Sequence, residues 1–368
     1  MRVIIAGGGT GGHLFPGIAI ATELLSREGG NDVLFVGTRE GLEERVVPAE
    51  GFKIRFIHAS GIVHVGMWRK LKGLVRIPGG MLQARSIIES FDPHLVLGVG
   101  GYASGPVVAM ARWMGFPTMI HEQNAVPGLT NRILGTMVDV VCLAYPDVRN
   151  LFKSGQTFLT GNPVRKSMRP INRALACKAL GLDPDRFTVF VLGGSRGAHR
   201  LNEVMVEALP HFSALRGKFQ VIHQTGEWDE EEIKNLYRKE QVSGLVSSFF
   251  QKIELTYAAA DLVVCRAGAS TVAELAEVGR AAILVPYPHA AKNHQEANAR
   301  RLMDLGACRM LLEAELNGEV LAREILELRE HPDQLAELET SCRSISRPRS
   351  AAKIVDIAYE LCKRRGVL

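Results

Sequence analysis

The sequence of 368 residues has no run near the ~20 apolar residues that a membrane-spanning helix needs. No signal-peptide h-region precedes the first apolar segment, Val3 Ile4 Ile5, so a protein kept in the cytoplasm is expected. Cysteine is sparse: Cys142, Cys177, Cys265, Cys308, Cys342 and Cys362 are scattered, with no CxxC pair and no Cys/His spacing that suggests zinc. Reduced, mostly buried thiols follow. A strong charge of one sign is missing too, since 44 basic against 39 acidic residues leave only +5. No aromatic-basic stripe recurs, so nucleic-acid binding has little support.

What is present is an ordinary globular composition, 46% hydrophobic and 23% charged, on a chain long enough for two domains of about 100 to 200 residues. Short β-rich runs alternate with helical patterns, the signature of α/β folding on parallel sheets. One series of strands is predicted at 2–6, 33–37, 54–58, 94–99, 117–121 and 138–143, with helices such as 16–28 and 80–90. A second starts afresh at 187–192 and continues through 219–223, 245–249, 261–265 and 281–285. "TGNPVR", residues 160–165, carries turn chemistry and is expected to be the linker. The predicted division is a first domain 1–161, a second 162–345 and a last segment 346–368. The helices at 315–345 and 350–365 close the chain, the last packing back on the first domain. Each half opens with a strand and a glycine turn, "GGTGGH" at 8–13 and "GGSRGAH" at 193–199, so both are expected to be Rossmann-like.

A strand, glycine-rich turn and helix start suit an anion, because glycine lets the backbone approach and the helix N-terminus offers N–H groups and positive dipole. The alternative is a tight turn that serves packing alone. Gly7, Gly9 and Gly12 fit the dinucleotide spacing GxGxxG, but the second strand ends in Val36 Gly37 Thr38 Arg39 with no acid at its tip, which weakens a nicotinamide reading. His13 stands where the turn becomes helix and can accept a proton, hold a phosphate or simply cap and pack. In "CRAGASTVAEL" a helix opening with Ser270 and Thr271 faces a phosphate, and Glu274 suits the two hydroxyls of a ribose or merely favours a helix start. "YPHAAKNHQEANARRL", 287–302, adds His294, Gln295 and Asn298 to the same rim.

These motifs in their order, with "GVGGYASGP" (98–106), "HEQNAVPGLTNR" (121–132) and "LGGSRGA", resemble the two-Rossmann-domain GT-B glycosyltransferases. More closely, the sequence is similar to the MurG family, whose members add N-acetylglucosamine to a lipid-linked N-acetylmuramyl pentapeptide in peptidoglycan synthesis. The resemblance covers essentially the whole chain. It implies two parallel sheets facing a central cleft, with UDP-N-acetylglucosamine (UDP-GlcNAc) mainly in the second domain and lipid I as acceptor. Arg165 and Ser195 would hold the diphosphate beside Ala269, Ser270, Thr271, Val272 and Ala273. Glu274 would take the ribose, backbone at Phe250 the uracil, and Gln295 and Asn124 the sugar. Thr10, Gly11 and Gly12 would line the donor side, and Gly8, Gly9, Gly100, Gly101 and Tyr102 would receive the acceptor's diphosphate. The transfer would invert the anomeric carbon, with His13 as general base and Glu122 in reserve. No metal or other cofactor is implied, and the "DPD" at 183–185 lies in a turn-like stretch. The roles of His289, Lys292 and His294 stay open, because spacing in that stretch varies within the family.

A polyprenyl acceptor also implies contact with the bilayer. Residues 61–77 interleave Val63, Val65, Met67, Trp68, Leu71, Leu74 and Val75 with Arg69, Lys70, Lys72 and Arg76, a mixture suited to anionic headgroups, and Trp113 could join them. An amphipathic helix packed on a sheet gives the same pattern. The expected location is the cytoplasmic face of the inner membrane, with other cell-wall synthesis proteins as partners. The competing readings are a GT-B transferase for another glycolipid, a silent nucleotide-sugar binder and a dinucleotide oxidoreductase.

Overall fold

The computed structural model describes residues 1–27, 29–59, 67–152, 156–194 and 197–368, and of 67–78 the backbone alone. The chain divides into two compact units, Met1–Lys166 with Arg347–Leu368, and Ser167–Ser346.

Unit 1 is built on strands β1 (Arg2–Gly7), β2 (Asp32–Gly37), β3 (Lys53–Phe56), β4 (Leu95–Gly100), β5 (Thr118–Glu122), β6 (Val140–Leu143) and β7 (Gln156–Leu159). They form one sheet in the order β3-β2-β1-β4-β5-β6-β7, every pair parallel. Helices α1 (Gly11–Leu25), α2 (Glu43–Ala49), α3 (Met67–Phe91), α4 (Ser104–Trp113) and α5 (Leu129–Leu134) connect the strands. Val3, Ile4, Ile5 and Ala6 of β1 are all buried, as unbroken apolar runs must be when helices cover both faces of a parallel sheet.

Unit 2 repeats the plan with β8 (Phe187–Leu192), β9 (Phe219–Gln224), β10 (Gly244–Ser247), β11 (Leu262–Cys265), β12 (Ala281–Leu284) and the two-residue β13 (Arg309–Met310). The order is β10-β9-β8-β11-β12-β13, again parallel. Its helices are α6 (Arg173–Leu180), α7 (His199–Ala208), α8 (Glu230–Lys239), α9 (Ile253–Ala259), α10 (Ala269–Val278), α11 (His294–Asp304), α12 (Gly318–Glu330) and α13 (Pro332–Ser344). The last helix, α14 (Ser350–Arg364), belongs to unit 1, where Ile354, Val355, Ala358 and Leu361 share a core with Leu14 and Ile18 of α1.

The predicted strands all appear, with ends moved by at most two residues. Two strands escaped notice, β7 and β13, both short edge strands with polar residues and little periodicity to read. The expected helix 16–28 begins earlier, at Gly11, and so takes in His13. The expected helix 315–345 is broken after Glu330, where Pro332 cannot donate to the preceding turn and starts a new helix instead. Residues 160–165 lie in unit 1. Gly161, at φ +85°, runs so close to the returning chain that a Cβ there would sit 2.4 Å from the Arg347 Cβ.

In each sheet the strand order reverses beside the first strand, between β1 and β4 and between β8 and β11. Ligands of open α/β sheets bind outside the carboxyl ends of strands at such a reversal. Both glycine turns are therefore placed by topology, not by composition.

Candidate functional site

In unit 1 the turn Gly7, Gly8, Gly9 has φ of +151°, +144° and +87°, angles that side chains disfavour. A Cβ on Gly7 would lie 2.3 Å from the Gly100 carbonyl oxygen, and one on Gly101 would lie 2.3 Å from that of Gly8. The two strand ends simply approach too closely for side chains. Glu43, the first residue of α2 and 1% exposed, reaches beneath the turn. Its Oε2 accepts the Gly9 N–H at 2.6 Å, and its Oε1 accepts the Thr38 N–H and hydroxyl at 2.9 and 3.0 Å. A Cβ on Gly8, Gly37 or Gly41 would fall 2.3, 2.5 or 2.0 Å from that side chain, so three glycines make room for one carboxylate.

This changes the expected use of the turn. The Gly9 N–H is given to Glu43 and the Gly8 N–H to the Gly100 carbonyl at 3.2 Å, so neither amide is held ready for a phosphate. Much of the bareness serves close packing around a buried acid.

His13 is the third residue of α1, and Gly100 clears space for its ring: a Cβ there would lie 2.6 Å from Nδ1. That Nδ1 is 3.3 Å from Oε1 of Gln123, whose Nε2 donates to the Val99 carbonyl at 2.8 Å. Neighbouring His121 is wholly buried, lies 3.0 Å from the Gly161 carbonyl through Nε2, and is pushed down to about 4 by desolvation, so it stays neutral. Glu122, 1% exposed, is clamped: Oε1 accepts from the backbone and side-chain nitrogens of Asn124, Oε2 from the Gly128 N–H and from Asn131. A carboxylate with four donors organises the 124–128 loop, and its lone pairs are engaged. Arg165 lays its guanidinium over the Phe15 ring at 4.4 Å, while Tyr102 stands 53% exposed after Gly101.

In unit 2 the rim is built differently. Gly268 is the N-cap of α10 and has no side chain to cap with, and the first turn carries no acid, so the helix presents Ala269, Ser270 and Thr271 at its positive end. Glu274 is 5% exposed, and its Oε2 accepts the hydroxyl of Tyr257, itself fully buried, at 3.1 Å. Arg266, between β11 and this turn, pairs with Glu313 at 2.5 Å and donates to the carbonyls of Val285 and Pro286 at 3.2 and 3.4 Å. It ties the loop after β12 to the start of α10. Gln295, in the first turn of α11, accepts the N–H of Tyr287 in that loop through Oε1 at 3.0 Å, and Lys292 and Asn293 just before the helix both hold φ near +55°, a conformation unfavourable for non-glycine residues. Buried Asn298 donates to the Ala267 carbonyl at 3.1 Å. The Phe250 N–H is given to Gln224 at 3.0 Å.

Ser195 lies outside the described residues, as do Val63 and Val65. The backbone of Met67, Trp68, Leu71, Leu74 and Val75 runs in α3, and their side chains are outside the described set. Trp113, at the end of α4, is 72% exposed. The six thiols are free and buried, and burial pushes Cys142 to about 12 and Cys362 to about 11, which disqualifies both as nucleophiles. Among the described residues no helix is long and apolar enough to cross a membrane. The "DPD" aspartate Asp183 accepts from Arg186 and from the Asp185 N–H, the ordinary chemistry of a turn.

Sequence reasoning passed over Glu43, Gln123, Tyr257 and Arg266. Only Arg266 carried a local signal, a charge directly after an apolar strand. The other three matter through partners far away in sequence.

Residues 3–143 match the model of the glycosyltransferase family 28 N-terminal domain, and residues 188–355 that of its C-terminal domain. A protein of Thermodesulfovibrio yellowstonii is 45% identical over 99% of this chain and 100% of its own length. One of Citrifermentans bemidjiense is 47% identical over 96% of this chain and 98% of its own. Both are named UDP-N-acetylglucosamine–N-acetylmuramyl-(pentapeptide) pyrophosphoryl-undecaprenol N-acetylglucosamine transferase. The crystal structure of Acinetobacter baumannii MurG superposes with a TM-score of 0.77 at 32% identity, covering 98% of this chain and 99% of that one. With two parallel sheets of this order and motifs running its full length, the chain belongs to glycosyltransferase family 28 and, within it, to the MurG family.

Proposed function

We propose that this chain transfers N-acetylglucosamine from UDP-GlcNAc to lipid I, undecaprenyl-pyrophosphoryl-N-acetylmuramyl-pentapeptide, forming lipid II for peptidoglycan synthesis. The observation that carries the reading is end-to-end similarity, at 45 and 47% identity, to proteins named for that transfer. In a single inverting displacement, an acceptor hydroxyl bonds to the anomeric carbon as the bond to UDP breaks on the opposite face. His13 takes the hydroxyl's proton. Glu122 falls from consideration as the base because donors already surround both its oxygens.

In unit 2, the start of α10 at residues 269–273 stabilises the charge growing on the UDP diphosphate, and Ser195 assists. Glu274 accepts the ribose hydroxyls, the Phe250 carbonyl meets the uracil, and Gln295 contacts the sugar. In unit 1, Thr10, Gly11, Gly12, Asn124 and Arg165 serve the donor, and Gly100, Gly101 and Tyr102 the acceptor's diphosphate. Gly8 and Gly9 shape that surface instead of donating to it. Fixed dipoles and arginine supply the positive potential, and no metal takes part.

We place the enzyme peripherally on the cytoplasmic face of the inner membrane. Exposed Trp113 and, nearby, Met137, whose carbonyl accepts from Arg112, suit an apolar and cationic surface that touches anionic lipid. The test is incubation of purified protein with labelled UDP-GlcNAc, a lipid I analogue and EDTA. A disaccharide lipid is expected. Transfer only to a different acceptor, or only after a divalent metal is restored, overturns the proposal.

A further inference from the structure

Gln123 is fully buried just beyond β5, and its amide can be oriented in only one way. One end lies 2.8 Å from the Val99 carbonyl, which accepts and cannot donate, so that end is the NH2 group. The amide oxygen is thereby turned towards His13, 3.3 Å from Nδ1. An amide oxygen also only accepts. The proton of neutral His13 must then sit on Nδ1, which leaves the lone pair on Nε2.

We propose that Gln123 is a positioning residue that holds His13 in the Nδ1–H tautomer, making Nε2 the atom that takes the proton from the acceptor hydroxyl. This deepens the assignment of His13 as general base and rests on it. As the acceptor oxygen bonds to the anomeric carbon and the bond to UDP breaks, the hydroxyl proton moves to Nε2, and the imidazolium keeps its Nδ1–H on the Gln123 oxygen. Without that oxygen, the imidazole is free to carry its proton on Nε2, where it cannot act as base.

Three further observations fit. Gly100 has no side chain where a Cβ would strike Nδ1 at 2.6 Å, so the ring can lie against the strand end that also anchors Gln123 through Val99. His121, neutral and 3.0 Å from the Gly161 carbonyl through Nε2, adds no positive charge beside the base. Of the charged groups described around the turn, Glu43 and Glu122 are both bound by N–H donors and Arg165 is stacked on Phe15.

The test uses the full chain with 15N-labelled histidine. Long-range 15N–1H spectra distinguish a protonated from an unprotonated ring nitrogen, and His13→Ala identifies the His13 signals among the 11 histidines. The wild type should show a protonated Nδ1 and an unprotonated Nε2; the reverse overturns the proposal, whatever any variant does. Gln123→Met, similar in size and unable to accept, should give mixed tautomers. Its kcat should fall clearly but by less than the roughly 100-fold or more of a lost general base, because a mixed population still holds some of the Nδ1–H form, while the donor KM stays within about two-fold. An unchanged tautomer and kcat in Gln123→Met would sink the positioning role. If His13→Ala keeps the wild-type kcat, the base assignment itself fails, and the spectra show that separately.

Discussion

The two units share a sheet plan, a glycine turn after the first strand and a strand reversal beside it, yet their rims are built in different ways. In unit 1 the turn closes on itself: Glu43 takes one amide, the Gly100 carbonyl another, and His13, the proposed base, stands on the helix that follows. In unit 2 Gly268, at the start of the helix after the fourth strand, has no side chain with which to cap it, and the acid Glu274 sits inside α10 with Tyr257 as its anchor. The lesson is that a glycine turn marks a place where backbone comes close. Whether the approaching partner is a phosphate or the protein's own carboxylate depends on the neighbouring loop.

The sharpest way to break this contrast is a pair of truncations. His13→Ala should lower kcat by about 100-fold to 10,000-fold with little change in donor KM, as loss of a general base does. Glu274→Ala should raise the donor KM about 10-fold to 100-fold, the scale of lost hydrogen bonds to a charged group, and leave kcat largely intact. Steady-state kinetics on both variants decide it, and the same parameter changing in both would end the division between units.

Next in size is Glu43→Ala, which strands the Gly9 and Thr38 amides and empties a packed volume; a loss of about 2 to 4 kcal/mol is expected in urea unfolding. Stability within error of wild type would show that the turn does not need its acid. Smaller again is Tyr257→Phe, which removes one hydroxyl from Glu274 and should raise the donor KM only about three-fold to ten-fold, as one hydrogen bond would. Calorimetric titration with UDP checks it, and undiminished affinity would show that Glu274 needs no anchor.

The smallest effect at neutral pH is shared by both units. His121 in unit 1 and His223 in unit 2 are buried and neutral, with burial holding them down to about 4 and about 3 from the ordinary 6.5. Between pH 6.5 and those values the unfolded chain binds protons that the folded chain does not, so stability falls as the pH drops through that window. Replacing His121 with Asn should flatten part of that slope, measured by urea unfolding from pH 7 to 4. An unaltered slope would mean that His121 is protonated in the fold.

Much of the fold was legible because buried parallel strands are unbroken apolar runs, and runs such as FTVFVL need no partner to be recognised. Edge strands β7 and β13 were not, since short polar edges bury too little to leave a pattern. His13, Glu274 and Gln295 were legible as site candidates because each follows a turn with its own local chemistry. Glu122 reads as a reserve base in line, because nothing in "HEQN" says that Asn124, Gly128 and Asn131 turn their N–H groups onto it.

By itself, the sequence determined the two βα series, the glycine turns and the family, because periodicity and ordered motifs are properties of the chain read in line. Only the tertiary structure decided what the turns hold. Hydrogen-bond partners such as Glu43 for Gly9, Gln123 for His13 and Tyr257 for Glu274 are brought together by sheet order and by loops, across separations that no local pattern spans.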